Sequence, residues 1–360
     1  MPENLTFSIT VPIGSYHPLL PMCLASLAAQ DVALEVAVMD ASNDERVCEL
    51  VDQFADSIAI RHHGPDDGQA DAIASGWDRT SGSILGWLNA DDVLAPGALR
   101  HAADSFLADP ELDVVYGHSL ICNDDGYING YHWNVLPPGD HILSTCCISQ
   151  PSCFFRRSAL KAAGGLDRSL HFTMDWDLWI RLYKSGASFR MNEDIFSLVL
   201  WSEEAKTGGF GRQRRVELKR ILDQNESLKE RFSGYLGFAS HYFYEYVLPR
   251  RVRNWIWRRN ISGGRGMFGL SVSGDVDSLA TFIMFHFDDH PKTQIEIKTN
   301  ASAEEFELRF EGDSLDKFER CEDGYRFTVS TPFQGARIGY LQVENRAVSP
   351  IHIDGIRFPE

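Results

Sequence analysis

A chain of 360 residues with 44% hydrophobic and 11% aromatic content can bury a large core, enough for two domains, and this excludes a disordered protein. A formal net charge of -17 argues against general nucleic-acid binding and requires anionic ligands to be held locally, by a metal or by main-chain donors. Seven cysteines with no C-x-x-C pair make no disulfide framework and fit a reducing, cytoplasmic setting; no basic segment precedes the first apolar run, and no stretch is apolar enough to span a bilayer.

In chain order, Thr6 to Ile13 reads as a first strand broken by Pro12 and Gly14, and Pro18 to Gln30 has helical spacing through Leu20, Leu24 and Leu27. Leu34 to Asp40 is a second strand ending in a carboxylate, with Ser42-Asn43-Asp44 as the next helix start. Ser57 to His62 is a third strand, Gly64 to Gln69 a turn cluster, and Ala70 to Trp77 a short helix. The apolar run Ser83 to Leu88 then ends abruptly in Asn89-Ala90-Asp91-Asp92, as a buried parallel strand does where it opens onto a ligand crevice. This alternation predicts a doubly wound α/β domain with acids gathered along one edge.

If the ligand is a nucleotide sugar, those acids have separable uses. Asp40 can accept a base N–H such as uracil presents, Asp67 with Gln69 can grip base or ribose, and Asp91 can take ribose hydroxyls. Adjacent side chains on an extended chain point apart, so Asp92 is free to hold Mg²⁺ or Mn²⁺. The competing reading is a strand-ending turn in which Asp92 caps the helix beginning near Pro96. No G-x-G-x-x-G or G-x-x-x-x-G-K-[ST] run lies near the first strand, which disfavours a dinucleotide or P-loop enzyme.

Taken together, Thr10-Val11-Pro12, Val38 to Ser42, Asp67 to Ile73, Gly82 to Asp92 and Asp175-Trp176-Asp177-Leu178-Trp179 resemble the family 2 glycosyltransferases of GT-A fold, over roughly residues 5 to 210. The resemblance implies inverting sugar transfer from a nucleotide-diphosphate donor, aided by a divalent metal. It places Pro12, Asp40 and Asp67 in the nucleotide pocket, Asp91 and Asp92 in the acidic motif, Gln150 beside the reaction centre and Asp175 at the catalytic base. Gln150 reads equally well as a strand-end amide satisfying backbone. Relatives often have Glu where Met174 stands, and many carry a His near the place of Ser202, so the third metal ligand is unassigned. Lys206, in a loop that relatives place over the diphosphate, can meet phosphate as a point charge or stand as a solvated loop lysine.

Between these motifs, Pro96 to Leu107 reads as a helix, Asp113 to Gly117 as a strand, Ile121 to Trp133 as a hairpin and Gln150 to Arg157 as a strand. Trp176, Trp179, Ile180 and Tyr183 form the buried stripe of a helix, and Asp175 at its start is favoured as the anion by the helix dipole. The plain alternative for Asp175 is an N-cap, and both roles can coexist. His171 and the pair His62-His63 lack partners at metal-ligand spacing, while Arg156 and Arg157 read as surface or helix-flanking charges, with pyrophosphate contact as the alternative. Phe196 to Trp201 is a further strand.

Residues 212–261 form a basic, aromatic helical linker after a catalytic domain of 1–211. Its aromatics either pack between domains or lie on an anionic membrane surface near a lipid-linked acceptor. From 262 to 360 the period falls to two, and seven short strands between Gly, Asp, Asn or Pro turns predict a β-sandwich-like domain. The expected activity is transfer from a UDP-sugar to a glycan or lipid-linked hydroxyl in surface polysaccharide or glycolipid synthesis, in the cytoplasm or at the inner membrane face. A nucleotidyltransferase, or a non-catalytic glycan-binding or assembly protein working through its β-domain, is the alternative.

Overall fold

The computed structural model describes residues 5–122, 128–131, 137–200, 212–223, 228–243, 247–249, 267–270, 275–286, 291–310, 313–333, 337–357 and 359. The chain divides into two compact units, residues 1–119 with 132–253, and residues 120–131 with 254–360.

The first unit begins with β1 (Phe7–Ile13), α1 (Leu20–Ala28), β2 (Leu34–Asp40), α2 (Glu45–Gln53), β3 (Ile60–His63), α3 (Gln69–Asp78) and β4 (Ile84–Trp87). These strands lie in the order β3-β2-β1-β4, all parallel. Every residue of β1 is buried, as expected of a strand covered on both faces. Pro12 lacks an N–H, and it lies beyond the last β1–β4 pair, Thr10 with Trp87, where no ladder donor is needed. Helix α3 packs on β1 through Gly76, where a Cβ would come within 2.4 Å of the Thr10 hydroxyl. Asp44 caps α2 by accepting from the Arg46 N–H.

The sheet continues through β5 (Asp92–Leu94), β6 (Val114–Cys122), β8 (Cys153–Arg156) and β9 (Phe189–Leu200); β6 from Leu120 on, and β7 (Ile128–Tyr131) paired to it, are counted with the second unit. Here the order is β4-β8-β6-β9-β5, and the β4–β8, β6–β8 and β5–β9 pairs are antiparallel, so the complete sheet is mixed. Helices α4 (Ala98–Ala108), α5 (Arg157–Ala162), α6 (Met174–Lys184), α7 (Arg212–Asp223) and α8 (Leu228–Tyr242) complete the unit. Asp92 is not a helix cap: it opens β5 and pairs with Val199 of β9. Gln150 lies in a short 3₁₀ turn, Gln150–Ser152, before the strand that was expected to include it. Part of the expected hairpin turn, residues 123–127, falls outside the described residues.

An aromatic cluster joins the strands to α6. Trp77 and Phe155 meet edge to face at 5.5 Å, and Trp87 stacks on Trp179 at 5.8 Å. Trp176, Trp179 and Ile180 are buried as their spacing predicted, whereas Tyr183 is only half-buried and donates its hydroxyl to Asp140. Arg157 is structural rather than a surface charge, since its guanidinium binds the Gly82 and Trp77 carbonyls. Arg156 binds the Leu112 carbonyl and lies 5.3 Å over the Phe106 ring.

The second unit is antiparallel: β10 (Met267–Leu270), β11 (Asp275–His286), β12 (Lys292–Thr299), β13 (Phe306–Phe310), β14 (Asp313–Ser314), β15 (Phe318–Cys321), β16 (Gly324–Phe333), β17 (Arg337–Asn345) and β18 (Ile351–Arg357). Strand β18 pairs with β11 at its start and β12 at its end, so it joins two groups of strands. Between those groups, Ile295, Ile297, Leu308, Phe327, Leu341 and Val343 make one core from the inward positions of alternating strands. Two short strands, β14 and β15, were not expected from the pattern; β15 is mostly exposed and lacks an apolar alternation to betray it.

Candidate active site

The carboxyl end of β4 is held by a network of side-chain amides. Gln150 donates from Nε2 to the Trp87 carbonyl at 2.7 Å. Asn89 donates from Nδ2 to Gln150 Oε1 and to Asp92 Oδ2, each at 3.0 Å, and its Oδ1 accepts from Gln69 Nε2 at 2.6 Å. The Asn89 amide thus spends both donor hydrogens and engages its acceptor, which fixes its plane. Its central position follows from ending an apolar strand with a short amide, a signal visible in the sequence although its linking role was not.

Asp92 is 4% exposed, and burial pushes its pKa well above the usual carboxylate range, with the Asp91 charge adding to the rise and the Asn89 hydrogen bond opposing it. Among the described residues no Lys, Arg or His forms an ion pair with it. A buried carboxylate beside a second carboxylate, without a protein cation, is a donor set that fits a divalent ion such as Mg²⁺ or Mn²⁺. Asp91 is half-buried in the turn, and the Cys23 thiol lies beneath, 3.4 Å from the Asn89 carbonyl. The same two carboxylates add to burial in raising the Cys23 pKa.

At the neighbouring strand ends, Pro12 is buried in β1, and Asp40 ends β2 with 4% exposure. Asp40 Oδ1 accepts from the Ser42 N–H at 2.9 Å and its hydroxyl at 2.6 Å, while Oδ2 lies 2.8 Å from His63 Nδ1. The sequence spacing concealed that His63 partner. Asp67 is exposed in the turn before α3, and among the described residues its carboxylate makes no hydrogen bond. Gly68 has φ +114°, a conformation that favours glycine, and a Cβ there would lie 3.5 Å from the His171 ring.

His171 brings the turn of Asp67 and Gln69 beside the segment leading to Asp175. Arg168 reinforces the arrangement with ion pairs to Asp71 and Asp78 of α3. Asp175 lies in the first turn of α6, half-buried, and its Oδ1 accepts from the Trp176 N–H at 2.8 Å. Burial raises its pKa; the backbone hydrogen bonds and the charge of Arg214 pull it back, and Asp177 pushes it up. Desolvation therefore outweighs the anion-stabilising helix terminus expected from sequence. Asp177 is committed elsewhere, paired with Arg181 at 2.7 Å.

One residue in this region escaped the sequence reading. Glu217 of α7 is 6% exposed, and its carboxylate accepts from the N–H groups of His171, Phe172 and Thr173 and from the Thr173 hydroxyl, at 2.9 to 3.2 Å. It ties the three residues that lead into α6 to a separate helix, α7. The available signal was an acid beside Leu218, Ile221 and Leu222, the buried face of a strongly basic helix. Lys206 and the loop 201–211 lie outside the described residues.

A mixed sheet with a parallel β3-β2-β1-β4 half and an acid pair at the open end of β4 defines the GT-A class of glycosyltransferases. A fragment of S. aureus TarS in complex with UDP-GlcNAc superposes with a TM-score of 0.51 at 17% identity, over 70% of this chain and 79% of that one. A longer S. aureus TarS structure gives 0.51 at 14% identity, over 94% of this chain and 72% of that one. Residues 8–174 match the model of glycosyl transferase family 2, and this match gives the class of enzyme as a glycosyltransferase. A PGL/p-HBAD biosynthesis glycosyltransferase of Mycobacterium bovis is 27% identical over 186 residues, 50% of this chain and 71% of that protein. Chondroitin synthase of Pasteurella multocida is 24% identical over 234 residues, which are 63% of this chain and 24% of the synthase.

Proposed function

We propose that the chain transfers a sugar, with inversion, from a nucleotide-diphosphate donor, UDP-sugar favoured, to a hydroxyl of a surface polysaccharide or glycolipid acceptor. The observation that carries this reading is Asp92: a buried carboxylate with a raised pKa, no protein cation among the described residues, and an amide holding it at the open end of the sheet. Asp92 holds the divalent cation, Mn²⁺ or Mg²⁺, which when bound stabilises negative charge on the departing diphosphate. Asp91 takes the ribose hydroxyls. Asp40, beside Pro12, reads the base, and Asp67 is free to grip base or ribose. Gln69 and Gln150 contribute by orienting Asn89, and Lys206 contacts phosphate.

Asp175 removes the acceptor proton as the hydroxyl attacks. Its raised pKa makes it a stronger base than an exposed aspartate, provided the pH stays above that value. The names of the relatives support a glycan or glycolipid product, and the TarS complex supports a UDP-linked donor. No described helix is long and apolar enough to cross a membrane. The exposed side chains of Leu228, Phe232, Tyr235 and Leu236 on α8, next to basic α7, support contact with the anionic inner face of a membrane carrying the acceptor, whereas Phe238 turns inward against Trp176. This is a cytoplasmic, peripheral setting.

The test is release of nucleoside diphosphate from a panel of nucleotide sugars, with and without Mn²⁺. One UDP-sugar is expected to turn over in a Mn²⁺-stimulated manner, and Asp92→Ala to lose that stimulation. Pyrophosphate formation from a nucleoside triphosphate and a sugar phosphate, with no turnover of any nucleotide sugar, would overturn the reading.

A further inference from the structure

Asp40 and His63 end adjacent parallel strands and stand opposite each other in register, so both side chains leave the same face of the sheet. From that face α2 presents Cys48, and the thiol sulfur, an imidazole nitrogen and a carboxylate oxygen all lie within 4.8 Å of one another. A hydrogen bond accounts for the Asp40–His63 contact; it does not account for the thiol brought to the same point from a third element. The neighbouring cations are engaged elsewhere. Arg46 pairs with Asp44, and Arg61 with Asp52 and the Cys48 carbonyl.

We propose that Asp40, Cys48 and His63 form a binding site for Zn²⁺, separate from the cation at Asp92. One oxygen, one nitrogen and one sulfur donor suit a borderline-soft ion that takes four ligands tetrahedrally, and the half-exposed His63 ring leaves the fourth position to water or a ligand. Mg²⁺ and Mn²⁺ prefer oxygen and have little use for a thiolate, so the chemistry of the two sites separates their ions. The bonds from the Ser42 N–H and hydroxyl to Oδ1 hold the Asp40 carboxylate with Oδ2 turned toward His63, the kind of support behind a ligand that sharpens metal affinity. On binding, the Cys48 thiol gives its proton to solvent and coordinates as thiolate. If Asp40 also reads the donor base, a consequence that rests on the proposed function, Zn²⁺ and the donor compete for it.

The full chain, stripped of metal by chelation, is titrated with Co²⁺ and followed by absorbance, then with Zn²⁺ by calorimetry, all without nucleotide. A sulfur-to-cobalt charge-transfer band saturating at a single equivalent and bleached by Zn²⁺ is expected. Cys48→Ser should abolish the band and weaken Zn²⁺ binding by more than about 100-fold, exceeding the effect typical of losing a supporting partner. His63→Ala, a change at a half-exposed side chain, should weaken it comparably, while Asp92→Asn keeps the band. Absence of a band in the wild type, or a band and affinity that survive Cys48→Ser, would overturn the site. Because no donor is present, failure of this assay is distinct from failure of the glycosyltransferase reading; competition is scored separately, as loss of UDP-sugar binding on adding Zn²⁺ that His63→Ala relieves.

Discussion

Glu217→Gln isolates the link between α7 and the segment before Asp175. In the wild type, Oε2 accepts from the Phe172 N–H, the Thr173 N–H and the Thr173 hydroxyl, and Oε1 accepts from the His171 N–H. Glutamine can keep the three contacts on its single oxygen, though each weakens as the acceptor loses its charge, from about 1.5–3 kcal/mol to about 0.5–1.5 kcal/mol. Its amide then faces the His171 N–H donor to donor, and a buried donor left unpaired costs about 1–3 kcal/mol. Relaxation of the loop offsets part of the sum, so a loss of about 2–4 kcal/mol in the stability of the first unit is expected. The assay is urea unfolding followed by tryptophan fluorescence, since Trp77, Trp87, Trp176 and Trp179 all lie in that unit. A misplaced base should lower kcat by roughly 10-fold to 100-fold at unchanged donor KM. Glu217→Asp, a carboxylate on a shorter stem, should recover part of the rate. Unchanged unfolding and unchanged kcat in Glu217→Gln would refute the reasoning.

Asp175→Asn should reduce kcat by roughly 10²- to 10⁴-fold while nucleotide binding, measured by calorimetry, persists. Because burial raises the Asp175 pKa, base function is lost as pH falls through a value higher than that of an ordinary aspartate, and Arg214→Met, by removing a cation that favours the anion, should move that limb of the kcat/KM profile to still higher pH. A limb at the ordinary aspartate position in both proteins would count against this. Asp92→Asn should lose metal-dependent donor binding yet melt at a higher temperature without metal. The raised pKa contributes stability below the unfolded carboxylate value, and this is lost as pH rises through the folded value, so the gain from Asn should be largest near neutrality and vanish in acid. Gly76→Ala should destabilise by about 1–2 kcal/mol, the overpacking against Thr10 exceeding the gain in helix propensity, and adding Thr10→Ala, which removes the hydroxyl and methyl but leaves the residue 10 Cβ 3.0 Å away, should recover part of the loss in thermal melts.

Strands β1, β2 and β4 were legible because each is a short apolar run ended by Pro, Asn or an acid, a purely local signal, whereas β3, Ile-Arg-His-His, has no apolar run and begins three residues later than Ser57, which lies in a 3₁₀ turn. Apart from β14 and β15, the C-terminal strands were legible by a local signal too, with alternation in β12 and β13 marking the inward side. What escaped depended on distant partners. Asp92 opens a strand because Val199 lies beside it, more than a hundred residues later, and three residues of strand carry no pattern of their own. The helix terminus at Asp175 favours the anion and is visible locally, whereas the packing that opposes it comes from elements no window of sequence contains. Likewise Glu217 resembles any helical acid until its four donors are seen, and Cys48 and His63 look like isolated residues until α2 and β3 are set on the same sheet edge.

Strand β18 is a seam shared by two sets of partners, taking its register from β11 over Ile351 and His352 and from β12 over Ile353 to Arg357. Neither set can open along that seam without stripping hydrogen bonds from the other. The β-rich unit should therefore melt as a single cooperative block, and the slowest amide protons of β11 and β12 should exchange in one common opening event.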